Sequence, residues 1–136
     1  MKKTAGVMIL NEANEVLLQK KDSGYPWFPK KWCLFGGEVE EGETPLETIT
    51  REMEEELGLK LEFEFFRKID MYDKAVDGRE RHGKQNVFFS RFYGRLAEIS
   101  LSEGAGFAFF AKDEIHGLNM LERDRIVLME YYKTLT

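Results

Sequence analysis

Cysteine is nearly absent from this 136-residue chain: Cys33 stands alone, which excludes an internal disulfide. A reducing, cytoplasmic setting is the expectation that follows. His82 and His116 do not combine with that one thiol into a zinc pattern. No apolar run approaches the roughly 18 residues that a membrane helix needs. The opening Met1-Lys2-Lys3 leads only to the short stretch Val7-Met8-Ile9-Leu10, too short for the core of a signal peptide. Positive charge is in deficit, with a net charge of −5. That argues against binding to a nucleic-acid polymer. A small phosphorylated substrate stays compatible, because a metal ion can bridge acid to phosphate. Proline occurs only three times, and no Pro/Gly/Ser linker or repeat divides the chain. One domain over residues 1–136 is expected, large enough to bury roughly two-thirds of its unfolded surface.

The remainder of the sequence divides into short elements. Thr4–Leu10 reads as a buried strand. Asn11-Glu12-Ala13-Asn14 reads as a turn, and Glu15–Lys21 as the second strand of a hairpin. Residues 22–31, with Gly24, Pro26 and Pro29, form a loop that carries an aromatic cluster, Tyr25, Trp27 and Phe28. Trp32–Phe35 is a short strand leading into Gly36-Gly37. Lys60–Tyr72 and Asn86–Leu96 read as long strands flanking a charged loop over 73–85, Phe107–Ala111 as another strand, and Leu121–Lys133 as a closing helix. The central helix has the clearest signals. Thr44 is an N-cap with Pro45 at the first helical position, Glu47 completes a capping box, and Gly58 suits the left-handed C-terminal position. Leu46, Ile49, Met53 and Leu57 fall on one stripe that should face a core. Strands around a central helix, plus a terminal helix, suggest an α/β fold with a mixed sheet between helices.

The same helix carries Glu52, Glu54, Glu55 and Glu56. At about 100° per residue, Glu52, Glu55 and Glu56 share one arc beside the apolar stripe, and Glu54 points away. Acids at such spacing repel, and a surface helix would normally set lysine four residues on. Position 56, four after Glu52, is instead another glutamate. A hard divalent cation relieves that repulsion, and an all-oxygen donor set favours Mg²⁺, Mn²⁺ or Ca²⁺ over zinc. The competing reading of such a run is an ordinary solvated acidic face.

Spacing decides between them. From Gly37 the chain runs five residues to Glu43, seven more to Arg51, and then Arg51-Glu52-Met53-Glu54-Glu55-Glu56-Leu57-Gly58-Leu59. This resembles the Nudix box, G-x5-E-x7-R-E-U-x-E-E-x-G-U with U apolar, at every defined position. The box spans 23 residues. The resemblance extends more loosely to the hairpin before the box and to the strands and helix after it.

The resemblance implies a Nudix α/β/α sandwich and a Mg²⁺-dependent hydrolase that cuts a phosphoanhydride bond in a nucleoside diphosphate linked to a further group. It makes Glu52, Glu55 and Glu56 metal ligands, with Glu52 the first candidate for general base. Glu103, in Leu101-Ser102-Glu103-Gly104, resembles the later acid that several members use as an extra ligand or base. Glu43 and Arg51 are expected to pair as scaffold, and Gly36 and Gly37 to let the backbone approach a ligand. Asn11–Val16 followed by Lys20-Lys21 looks like the hairpin of the oxidised-dGTP pyrophosphatases, which makes Lys20 or Lys21 a phosphate contact. Trp27 is a candidate for stacking on a base, and Asn119 for reading a purine edge. Arg79, Arg81, His82 and Lys84 make the 73–85 segment locally basic. The first expectation is therefore a nucleoside triphosphatase, acting as monomer or homodimer on a small nucleotide, with no membrane partner. The alternatives are an ADP-ribose or nucleotide-sugar hydrolase, and a non-catalytic nucleotide-binding regulatory domain.

Overall fold

The computed structural model describes residues 1–101 and 104–135, so Glu103 lies outside the described residues. The elements run β1 (Lys2–Leu10), β2 (Val16–Lys20), β3 (Trp32–Cys33), β4 (Phe35–Glu38), α1 (Pro45–Leu57), β5 (Glu64–Lys74), β6 (Glu80–Arg91), β7 (Gly106–Phe110), α2 (Lys112–Ile115) and α3 (Glu122–Lys133). A single 3-10 turn, Leu96–Glu98, precedes β7.

The sheet is mixed and forked. β6 lies parallel to β1 along its whole length, from Lys2 opposite Gly83 to Leu10 opposite Arg91. The other edge of β1 is therefore shared. Thr4–Val7 pair with β4, and Ile9 and Leu10 pair with β2, both antiparallel. β7 likewise runs along all of β2, leaving the opposite edge of β2 to β1 and β3. The segment Trp32–Glu38 thus fills the gap where β1 and β2 diverge, and it carries Gly36 and Gly37 into that gap.

β1 is buried on both faces, which is why it reads as an unbroken apolar run rather than an alternating one. Val7 and Ile9 pack with Leu17, Phe35, Ile49, Met53 and Leu57 on the α1 side. Met8 and Leu10 pack with Leu18, Val127, Leu128 and Tyr131 on the α3 side. Two cores on opposite faces of one sheet make the expected α/β/α sandwich. Burying Ile49, Met53 and Leu57 fixes α1 under the sheet, each contributing about 1.5–3 kcal/mol.

The caps of α1 are as expected. The Thr44 hydroxyl accepts from the Glu47 amide, the Glu47 carboxylate accepts from the Thr44 amide, and Gly58 is left-handed at φ 68°. The stripe differs by one position. Leu46 is 48% exposed, and Thr48 is buried in its place. The first turn of α1 projects past the sheet, so its inward position holds a hydroxyl that donates to Glu43 Oε1 at 2.8 Å.

The expected charged loop over 73–85 is mostly strand. β5 continues to Lys74 and β6 starts at Glu80, with a turn between. The charges that looked like loop are cross-strand partners: Asp70 with Lys84, Asp73 with Arg81, and Tyr72 donating to Glu80. Such pairs stabilise a hairpin outside any core. Residues 60–63 and 92–96, expected as strand, lie outside β5 and β6.

Candidate active site

Arg51 organises the acidic arc of α1. Its Nε and Nη2 donate to Glu43 Oε2 and Oε1 at 2.8 and 3.1 Å, a two-pronged pair that ties the loop before α1 to its middle. The Arg51 guanidinium holds the Glu43 carboxyl down to about 2, and Glu43 in turn raises the Arg51 pKa. Arg51 has a second set of contacts, one of them at the i, i+4 spacing of a helix. Its Nη1 donates to Glu52 Oε1 at 3.1 Å and to Glu55 Oε2 at 3.3 Å. One cation thus relieves part of the repulsion on this arc.

Glu52 is pulled inward, with its side chain 17% exposed, whereas the Glu55 side chain is 61% exposed. The Glu52 carboxylate lies over Gly37, where a Cβ would run straight into it. A Cβ at Gly36 would strike the Ala5 carbonyl instead. The two glycines therefore serve different ends. Gly36 lets β4 lie close on β1, and Gly37 leaves room for a carboxylate. Glu56 is half-buried, with Oε2 shut off from solvent. Its charge is felt at Cys33, whose thiol is pushed up first by burial and then by Asp124.

Among the described residues, no three carboxylate, imidazole or thiol groups already converge as a metal cluster. The donor chemistry nevertheless fits a hard cation. Three carboxylates sit on one rigid arc, and one of them occupies a cradle that only glycine allows.

A cleft of about 630 Å³, its open mouth included, starts at the Gly36-Gly37 strand and runs between β1, β2 and the start of α3. Its walls include Gln19, Lys21, Tyr25, Phe28, Cys33, Arg123 and Asp124. Tyr25 and Phe28 meet edge to face at 4.9 Å, and Lys21 Nζ lies 4.5 Å from the Tyr25 ring. Asp73 accepts from Arg81 Nε at 2.9 Å and from Arg123 Nη1 at 2.6 Å, tying the hairpin to α3 beside the cleft.

Lys21, Gly36 and Gly37 line this cleft, while Lys20, Trp27 and Asn119 do not. Trp27 has the guanidiniums of Arg81 and Arg79 over its ring at 4.3 and 5.1 Å. Of the basic residues of the hairpin, Arg79 and Arg81 lie at Trp27, Arg81 also pairs with Asp73, and Lys84 pairs with Asp70. Asn119 is exposed, its Oδ1 accepting from Lys31 Nζ at 3.3 Å. Lys20 is the last residue of β2, and Lys21 begins the loop that follows.

Sequence reading passed over Asp124. It is 2% exposed, and its Oδ2 accepts from the Leu34 amide at 3.0 Å. Burial pushes its carboxyl up, partly offset by the charge of Arg123. The signal was present: Asp124 stands three, four and seven residues before Val127, Leu128 and Tyr131, on the buried face of α3.

No helix of the described residues is long and apolar enough to cross a membrane. The NUDIX domain family profile matches residues 1–132. An RNA pyrophosphohydrolase of Rhizobium meliloti is 31% identical over 121 residues, which is 74% of this chain and 68% of that protein. The nucleoside triphosphatase NudI of an Enterobacter species is 44% identical over 54 residues, covering 40% of this chain and 38% of that one. Among solved structures, the MutT protein of Methanosarcina mazei superposes with a TM-score of 0.78 at 20% identity, covering 99% of this chain and 95% of that chain. With the box helix under a forked sheet and a cleft at its glycine strand, the chain belongs to the Nudix family and is a Nudix pyrophosphohydrolase.

Proposed function

We propose that this enzyme hydrolyses a nucleoside triphosphate, oxidised forms included, to the monophosphate and pyrophosphate, using Mg²⁺ with Mn²⁺ as a substitute. The observation that supports this most is the seating of Glu52 against Gly37, which lines a cleft that Tyr25 and Phe28 also line. The acidic arc and the cleft then divide one substrate between them, polyphosphate at the arc and base in the cleft. A cytoplasmic location and a small nucleotide partner fit the same reading.

Glu52, Glu55 and Glu56 would hold the divalent cation, which when bound neutralises phosphate charge and activates a water. Arg51 gives hydrogen bonds to Glu52 and Glu55, so it aligns these carboxylates before metal arrives. Glu52 is our choice for the group that removes the proton from the attacking water, with Glu103 as the second candidate. Lys21, at the rim of the cleft, is placed to meet a substrate phosphate.

The test is a panel of nucleoside triphosphates, ADP-ribose and nucleotide sugars, incubated with Mg²⁺ and assayed by chromatography for the nucleoside monophosphate and its co-product, pyrophosphate or a sugar phosphate. Pyrophosphate from a triphosphate is the expected product. Turnover confined to ADP-ribose or a nucleotide sugar would favour that class instead, and binding without turnover of any compound would favour the regulatory domain.

A further inference from the structure

β5 is the outer strand of the sheet. One of its edges bonds to β6, and among the described residues no strand bonds to the other. At 11 residues it is long for an edge left open. Edge strands are commonly protected by lysines and bulges, and β5 has both, at Lys68 and between Phe65 and Arg67. Protection fails where an acid stands two residues from the lysine, because the strand then becomes its own complement. Asp70 stands there. Alternation sets the faces. Met71 lines the cleft and Asp73 reaches Arg123 of α3, so Lys68, Asp70 and Tyr72 point to the opposite, α1 face. Phe65 joins them across the bulge, edge to face with Phe88 of the α1-side core at 5.6 Å. Phe65 and Tyr72 stay 54% and 56% exposed.

We propose that β5 is the dimerisation edge of this protein: a second copy adds its own β5 antiparallel, about a two-fold axis at Ile69. Charge fixes that register. An axis normal to the sheet keeps each face on its own side, so it passes through a residue rather than between two. Centred on Lys68 it sets lysine against lysine, and centred on Asp70 it sets acid against acid, both unfavourable. Centred on Ile69 it sets Lys68 of each copy opposite Asp70 of the other. Asp70 already meets Lys84 of β6, so it then sits between two lysines. The bulge absorbs one residue and brings Phe65 opposite Tyr72 of the second copy, closing the exposed aromatics on each other. The open N–H and C=O groups of the paired stretch gain partners. The contact is isologous and uses both edges, so assembly stops at two chains.

The experiment is sedimentation equilibrium of the full chain from about 5 to 500 µM, the range of weak specific association. Wild-type protein should move from 15.9 kDa towards twice that mass as concentration rises. Lys68→Asp puts acid opposite acid, and Asp70→Lys puts lysine opposite lysine. Each variant alone should self-associate about 10- to 100-fold more weakly. Mixed in equal amounts, the two variants set acid opposite lysine at both positions and should recover a dimer close to wild-type strength. That recovery separates an interface from misfolding, since one damaged chain does not repair another. Wild-type protein that stays at 15.9 kDa throughout overturns the proposal. So does assembly beyond the dimer, a dimer that both single variants keep, or variants that stay monomeric when mixed.

Discussion

The helices α1 and α3 hold their acids in opposite ways. On α1, several carboxylates crowd one arc, stay partly hydrated, and share Arg51 as a counter-charge. On α3, one carboxylate sits alone at 2% exposure, with one oxygen bonded to a backbone amide. Crowded, half-solvated acids suit a mobile, highly charged partner such as a cation with phosphate. A solitary buried acid cannot draw on bulk water. The difference teaches that a shared arginine and a single backbone amide are two distinct ways of holding acid in one small fold.

The largest expected effect comes from a charge in the wrong place on α1. Met53→Asp puts a carboxylate into the core beside Ile49 and Leu57, whereas Glu55 and Glu56 stand off that stripe. It should abolish cooperative unfolding seen by circular dichroism. Glu55→Gln or Glu56→Gln should leave the fold intact and lower turnover by about 10² or more, since even outer-shell partners of metals are worth about 10- to 100-fold. Near-normal rates in both variants would remove the arc from the chemistry.

Glu52 and Glu103 are separated by titrating each glutamine variant with Mg²⁺ to saturation. A lost ligand is partly rescued by high metal, and a lost base is not. A base contributes about 10² to 10⁴ in rate. Glu52→Gln should stay slow, and Glu103→Gln should recover. The reverse pattern would move the base to Glu103.

The paired glycines sharpen the comparison further. Gly37→Ala drives a methyl into the Glu52 carboxylate, a flexible group that can swing away. It should keep the melting temperature and cost up to about 10² in kcat, the scale of a small misplacement of a reacting group. Gly36→Ala meets the Ala5 carbonyl, which is backbone, and should instead lower stability by about 1–3 kcal/mol. The two variants thus separate catalytic placement from strand packing at adjacent positions.

The arc was legible in the sequence because it is local. Its register on α1 follows from helical geometry, and the caps at Thr44 and Gly58 bound it. Much of the cleft was not legible, because it is assembled from β1, β2, the loop at Tyr25, β3–β4 and α3, and no spacing rule connects those segments. Asp124 was readable as a break in an apolar stripe, but the stripe of α3 was counted from apolar residues alone. The hairpin at 73–85 was misread because runs of charge normally mark solvated loops, and here they pair across strands. Asn119 was placed by loop position, which does not determine where a side chain points.

The smallest effect is in acid stability, and here the two regions differ in sign. The Glu43 carboxyl is held below its ordinary 4.5, at about 2, by Arg51. The unfolded chain binds more protons in that window, so this stabilisation is complete above about 4.5 and is lost as pH falls toward 2. Asp124 is raised above its ordinary 3.8 by burial. The folded chain then binds more protons, so its contribution is present at low pH and is lost as pH rises past 3.8 through the raised value. Urea midpoints across this range should show Glu43→Gln removing the acid-side loss, and Asp124→Asn removing the loss on the rising side.

The most direct test of the central claim is turnover of one responsive nucleoside triphosphate in Mg²⁺, then in excess EDTA, then with Mg²⁺ restored, using wild-type protein and Glu56→Gln side by side. The account predicts pyrophosphate release by the wild type that stops with EDTA and returns with metal, and little release by the variant throughout. Undiminished hydrolysis in EDTA, or equal rates in the two proteins, would contradict it.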